Sequence, residues 1–343
     1  MTERIRAFVV SAPNAAEVIE VPAPQAIPGQ AVISVERVGV CGTDAEFFTG
    51  DMAYLHDGHA HFPMRLGHEW MGTVISVGDD ADDRWVGQRV TGDTMLGCGS
   101  CRRCLTGFQH VCDDRHEVGI RGGWPGALAE RLVMPVDALL PLPGAVDAVM
   151  GALVEPGANA LRSVRAANLA EGDRLLVLGA GTIGLLVALL ARADGVDVHL
   201  MGRSARSLGF ARTLGFDSTW TQDDLPDLPF DAVVDASNAQ ALPARAVELV
   251  EPGKRVVYVG LATEASHVDS RALAFKDVTA VGILSGSPGL AGTIDRYASG
   301  AVDPRPLVAA TVGLDGVAAV LSGERPAHAG AGPKIHVDPR VTG

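Results

Sequence analysis

The stretch "DRLLVLGAGTIGLLVALLARADG", residues 173 to 195, constrains the fold more than any other segment. Its first apolar run reads as a strand covered on both faces, and its second as a buried helix. Between them Gly179, Gly181 and Gly184 stand in a G-x-G-x-x-G arrangement. The first glycine allows a tight turn. The second lets backbone approach a pyrophosphate, and the third lets helix and strand pack closely. The helix start at Thr182 and Ile183 offers free amides and the positive end of the helix dipole. Strand, turn and helix in this order supply the context that the motif needs. The segment predicts a dinucleotide-binding α/β unit.

The sequence around it extends the pattern. "VDVHLMG", "DAVVDAS", "KRVVYVG" and "VTAVGIL" read as strands alternating with helical segments. That alternation implies a doubly wound parallel sheet. "DAS" and "VGL" (259–261) follow two of these strands and are expected to line the cofactor cleft. Residues up to about 150 read differently, as short Val- and Ile-rich strands broken by Gly, Pro and Asp. With 343 residues, two domains are expected.

The end of the second strand bears on the nucleotide. NAD sites usually carry Asp or Glu there, on the ribose 2′-OH. This chain has "HLMGRSARS", with no carboxylate. Gly202 leaves room, and Arg203 and Ser204 can bind a 2′-phosphate; Arg206 adds a second charge. NADP is favoured over NAD.

Five cysteines, an odd number, argue against a disulfide framework. Four of them, Cys98, Cys101, Cys104 and Cys112, form C-x2-C-x2-C-x7-C. Four thiolates satisfy tetrahedral zinc with no open position, so this site is structural; an iron–sulfur cluster uses the same ligand type. Arg102 and Arg103 can offset the thiolate charge. The fifth, Cys41, lies in "VGVCGTD". "GHEWMG" supplies His68 and Glu69, and "LVEPG" supplies Glu155. A thiolate, an imidazole and a carboxylate leave a coordination position open, as catalytic zinc requires. Spacing alone does not join residues so far apart, and leaves Cys41 equally a core residue. His56, His59 and His61 precede that motif on a loop, as a second metal site, substrate contacts or solvated side chains.

The net charge of −13 and the lack of a basic run exclude most nucleic-acid and anionic-membrane roles. "MTERIRAFVV" carries charges where a signal peptide needs an apolar core, so a cytoplasmic location is expected.

Taken together, "CGTD", "GHEWMGTV", the four-cysteine lobe, "LVEP" and the glycine motif resemble the zinc-dependent medium-chain dehydrogenases of the alcohol dehydrogenase superfamily. The resemblance spans nearly the whole chain and is nearest to the polyol, sugar and threonine dehydrogenase branch. It implies a GroES-like β-barrel catalytic domain from 1–149 and 289–343, with a structural-zinc lobe at about 95–115. A Rossmann domain over 150–288 completes the chain, with the site in the cleft and nicotinamide against zinc. It also implies two zinc ions per chain and a homodimer or homotetramer. The activity implied is hydride transfer between a secondary alcohol (polyol, sugar or amino-polyol) and NADP, with zinc as Lewis acid. Cys41, His68, Glu69 and Glu155 would surround that zinc, and Thr43 would relay the proton. The family often has a histidine soon after "CG[ST]D", but Ala45 and Glu46 stand here. This departure leaves the rest of the proton path undefined. The competing expectations are an NAD-dependent polyol or threonine-type dehydrogenase of the same fold, and a non-catalytic zinc- and nucleotide-binding protein.

Overall fold

The computed structural model describes residues 3–79 and 83–341. The chain forms two compact units. One contains the residues up to Glu155, Val308–Gly330 and the stretch from Lys334 onward; the other contains Pro156–Leu307 with Ala331–Pro333. Both units bear out the α/β reading, one β-rich around mostly antiparallel strands and one built on a doubly wound parallel sheet. The nucleotide unit extends further along the chain than the expected boundary near 288. The helix Leu290–Ala298 explains the extension, because the side chains of Thr293 and Tyr297 on it leave no space for a Cβ at Gly157. Among the described residues, no helix is long and apolar enough to cross a membrane.

The first unit is built on a seven-stranded sheet. Its central strand Gln30–Gly39 pairs antiparallel with Glu69–Val77, with Arg131–Pro135 and with Lys334–Val337. The register is decisive for the site. Gly39 lies opposite Glu69 on one side and opposite His336 on the other. A Cβ at Gly39 would come within 2.0 Å of Glu69 Oε2, so only glycine leaves the Glu69 carboxylate its space. Leu66 and Trp70 bracket His68 and Glu69 and are buried with Phe8, Phe47, Leu128 and Met134 in one apolar core. Each such buried side chain contributes about 1.5–3 kcal/mol. The "GHEW" segment is therefore pinned at both ends by hydrophobic burial.

The second unit carries six parallel strands. Their spatial order is Thr219–Trp220, Asp197–Met201, Arg174–Leu178, Phe230–Asp235, Val250–Tyr258 and Thr279–Gly282. The order reverses between Arg174–Leu178 and Phe230–Asp235. Ligands of open α/β sheets bind outside the strand ends at such a reversal. The register aligns those ends, with Leu178 opposite Met201 and Asp235, and Asp235 opposite Tyr258. The helix Thr182–Ala193 follows the first of these strands and is buried from Gly184 to Ala191. That burial accounts for its apolar composition all round.

One buried group makes stability depend on pH. His336 is fully buried, and neither ring nitrogen has a hydrogen-bond partner among the described residues. Burial, with Lys334 and Arg37 nearby, holds its pKa well below the ordinary imidazole value. In the unfolded chain the ring takes a proton at about pH 6.5. Below that pH the unfolded state binds a proton that the folded state refuses, so stability falls as acid is added. The contribution is about 1.4 kcal/mol per pH unit until the folded pKa is reached. Urea denaturation of wild type and His336→Leu between about pH 7 and 5 should show a shallower decline for the variant. Equal slopes would contradict this assignment.

Candidate metal centres and nucleotide site

Cys41 caps the helix Gly42–Thr49, and Thr43 stands in its first turn. Asp44, in the same turn, is fully buried. One of its oxygens accepts from the Cys41 amide at 2.9 Å and the other from the Gly67 amide at 3.2 Å. The second also lies 3.6 Å from His68 Nδ1. Asp44 therefore ties the Cys41 turn to the His68 turn. Facing Nδ1, it leaves Nε2 as the ligating nitrogen of that ring. Burial raises the Asp44 carboxyl, but His68 and the two amides outweigh burial and hold it below the usual range.

Donor atoms of Cys41, His68 and Glu69 lie within 4.8 Å of one another. The set is one sulfur, one nitrogen and one oxygen, which suits zinc and leaves a fourth position open. Glu155 opens the helix Val154–Ala167 and is buried, but it does not join this cluster. The position of His68 argues for a cation. Burial opposes a charged imidazole, yet Asp44 and Cys41 push its pKa well above the ordinary value. A dication bound there satisfies the same demand for positive charge.

Sequence reasoning missed one member of the site. Lys334 Nζ lies 2.8 Å and 2.7 Å from the two Glu69 oxygens and donates to the Val40 carbonyl at 2.9 Å. Both partners are buried. Lys334 begins the final strand, and nothing in "GPKIHVDP" pointed to a partner near position 70. With this lysine the buried charges can be counted. A Cys41 thiolate, Asp44 and Glu69 carry three negative charges. Lys334 offsets one, and a divalent metal offsets the other two.

The four remaining cysteines also come together. Their sulfurs lie within 4.8 Å of one another, with separations of 3.6, 3.7 and 4.0 Å between individual pairs. A tetrahedron of thiolates at about 2.3 Å from zinc has edges of about 3.8 Å, so the spacing fits that ion. Backbone amides of Ser100 and Cys101 pull the Cys98 thiol down to about 6. Arg103 pairs with Asp113 at 2.6 Å and also feels the charge of Cys101 and Cys112.

The three loop histidines do not form a metal cluster with any described residue. His56 ends the short helix Ala53–His56. His59 packs edge-on against Tyr54 and lies 3.4 Å from Arg121. Tyr54 in turn meets Arg115 and Glu117. Contacts to the four-cysteine lobe thus hold this loop.

In the second unit, Gly179 has a φ of 106°, and a Cβ there would lie 2.9 Å from the Ala236 carbonyl oxygen. A Cβ at Gly184 would lie 1.8 Å from the Gly179 oxygen, whereas one at Gly181 would meet nothing within 4 Å. Gly181 caps the helix, with Thr182 and Ile183 half-buried behind it. Of the three motif glycines, Gly181 is thus the one with open space beside it. Gly202 packs against Leu208 and Ala180, so its smallness serves helix packing. Arg203 and Arg206 are exposed, and Ser204 caps the next helix by accepting from the Ser207 amide. Asp235 is buried and bonded to Ser237, whose oxygen would lie 1.8 Å from a Cβ at Gly260.

Comparison with known proteins agrees with this geometry. Residues 27–144 match the family model described as an alcohol dehydrogenase GroES-like domain. Residues 182–299 match the model described as a zinc-binding dehydrogenase. An L-threonine 3-dehydrogenase of Mesorhizobium japonicum is 30% identical over 275 residues, covering 77% of this chain and 78% of that one. The L-threonine 3-dehydrogenase of Sinorhizobium fredii is 28% identical over 92% of this chain and 94% of its own. Among solved structures, a zinc-binding dehydrogenase from Sinorhizobium meliloti bound to NADP aligns with a TM-score of 0.88 and 27% identity. It covers 98% of this chain and 100% of that one. An Escherichia coli alcohol dehydrogenase solved with NADH shares the fold at a TM-score of 0.89 and 24% identity, covering 98% and 99%.

The buried pair gives a direct stability test. Lys334→Met leaves the Glu69 carboxylate buried without its counter-charge, which costs about 3–5 kcal/mol. Guanidinium denaturation of the variant should show that loss, and a change below about 1 kcal/mol would contradict the assignment.

Proposed function

Because this chain belongs to the zinc-binding alcohol dehydrogenase family, we propose that it oxidises a secondary alcohol of the polyol, sugar or amino-polyol class with NADP as hydride acceptor. The observation that carries the reading is the mixed Cys41, His68 and Glu69 cluster beside a buried lysine. Zinc, when held there, supplies Lewis acidity toward the substrate oxygen. The chain's own residues supply the rest. Cys41 and His68 hold the ion, Asp44 orients His68, and Lys334 balances Glu69. Glu155 is a further candidate ligand from outside the cluster. Thr43 relays the substrate hydroxyl proton, its oxygen accepting that proton as its own hydroxyl proton passes on to solvent. The four-cysteine lobe binds a second zinc with no part in the chemistry.

Gly179, Gly181, Thr182, Ile183 and Gly184 receive the cofactor pyrophosphate. Arg203 and Ser204, beside Gly202, receive the 2′-phosphate, because the strand Asp197–Met201 ends without a carboxylate to accept a 2′-OH. NADP in the Sinorhizobium meliloti relative supports the same preference. The threonine dehydrogenase relatives place amino alcohols in the substrate panel. We read the protein as a homo-oligomer.

One steady-state experiment tests these assignments. Wild type is assayed at 340 nm with secondary alcohols, sugars, polyols and amino alcohols, each with NADP⁺ and NAD⁺. NADP⁺ should give the higher kcat/KM. Arg203→Ala should lower that value about tenfold or more for NADP⁺ while sparing NAD⁺. Thr43→Val should lower turnover about a hundredfold and keep its zinc. A clear NAD⁺ preference, or full activity in Thr43→Val, would refute the corresponding role.

A further inference from the structure

A cavity of about 470 Å³ opens within the β-rich unit. Small-molecule sites typically span about 300–1,000 Å³. Three stretches of chain build most of its wall, and Val9 and Val133 complete it. Ile19 and Val21 come from the strand Ala15–Pro22, Pro63 and Arg65 from the segment before His68, and Ile120 and Trp124 from a later loop. Trp124 Nε1 donates to the Val133 carbonyl at 3.1 Å, which fixes the ring in the wall. Cys41, His68 and Glu69 do not line the cavity, so it is separate from the proposed metal centre.

No carboxylate lines this cavity either. Yet Arg65 lies in the wall, and its Nε is shielded from solvent with no hydrogen-bond partner. Other arginines of the same unit find acids: Arg115 pairs with Glu117 at 2.7 Å, and Arg340 with Asp338 at 2.8 Å. The chain has 41 acidic residues to offer, and none is paired with Arg65 among the described residues. Burial alone pulls the Arg65 pKa down to about 10, with no acidic neighbour to restore it. The guanidinium nevertheless stays charged at neutral pH. Arg65 is half-buried, its Nη atoms are not among the shielded unpartnered atoms, and it has no counter-charge among the described residues, which an anion entering the cavity would supply.

The lining defines the anion. His61 is the only other titratable group on the wall, and the remaining surface is largely apolar. A phosphate dianion would keep one charge uncompensated beside a single guanidinium. A carboxylate matches the planar fork of a single arginine. We propose that this cavity is a second binding site, for a small amphipathic carboxylate whose head pairs with Arg65 and whose hydrocarbon body lies against Ile19, Val21 and Trp124. Its occupant would brace the segment that leads into His68. The inference does not depend on the dehydrogenase reading, since binding is measured without turnover.

Titration calorimetry of octanoate into the zinc-loaded full-length protein tests it, with 1-octanol as the uncharged control. Octanoate should bind saturably, and octanol about tenfold or more weakly. Arg65→Gln should weaken octanoate about tenfold or more. Val21→Trp keeps the arginine, fills the cavity from a half-buried strand position, and should abolish binding. Val21→Trp also decides the matter if Arg65→Gln does not fold. It further separates this site from a carboxylate on the catalytic metal, which the tryptophan would not block. No octanoate binding, equal binding of octanol, or binding that survives in Val21→Trp overturns the proposal.

Discussion

The ion pair between Lys334 and Glu69 is the constraint on which the candidate active site depends. Two charges taken out of water are costly unless each is fully met. Here the ammonium reaches both carboxylate oxygens and a backbone carbonyl within 2.9 Å. That pairing brings a residue from the end of the chain against one near position 70. It also sets the charge of the site. Asp44, Glu69 and a Cys41 thiolate outnumber Lys334, and a dication closes the balance. Metal binding and the folding of this unit are therefore coupled, as is usual for buried thiolate and imidazole ligands.

Backbone geometry does the remaining positioning. Gly39 yields its side-chain space to Glu69, while Asp44 joins the Cys41 and His68 turns through two amides. Leu66 and Trp70 hold the intervening chain by burial. In the nucleotide unit the same economy of space operates. Gly179 and Gly184 close the turn onto the helix, and of the three motif glycines Gly181 has open space beside it.

Much of this was legible before any coordinates. The glycine motif and the alternating strands specified the parallel sheet, because each carries a local periodicity. The four cysteines between 98 and 112 announced their cluster by spacing alone. Cys41 and His68 are far apart in sequence, and only their family resemblance joined them. Lys334 escaped because a partner 265 residues away leaves no local trace. His59 looked like a candidate ligand by spacing, whereas tertiary contacts to Tyr54 and Arg121 gave it a neighbour instead. The boundary near 288 shifted for a similar reason, since the packing of Tyr297 against Gly157 is a long-range contact.

Metal stoichiometry tests the central claim most directly. Purified wild type and Cys41→Ser are compared for zinc by elemental analysis, with circular dichroism to confirm that both are folded. The account predicts about two zinc ions per chain in wild type and about one in the variant, the remaining ion held by the four-cysteine lobe. Equal zinc content in the two folded proteins would contradict a metal centre built on Cys41, His68 and Glu69.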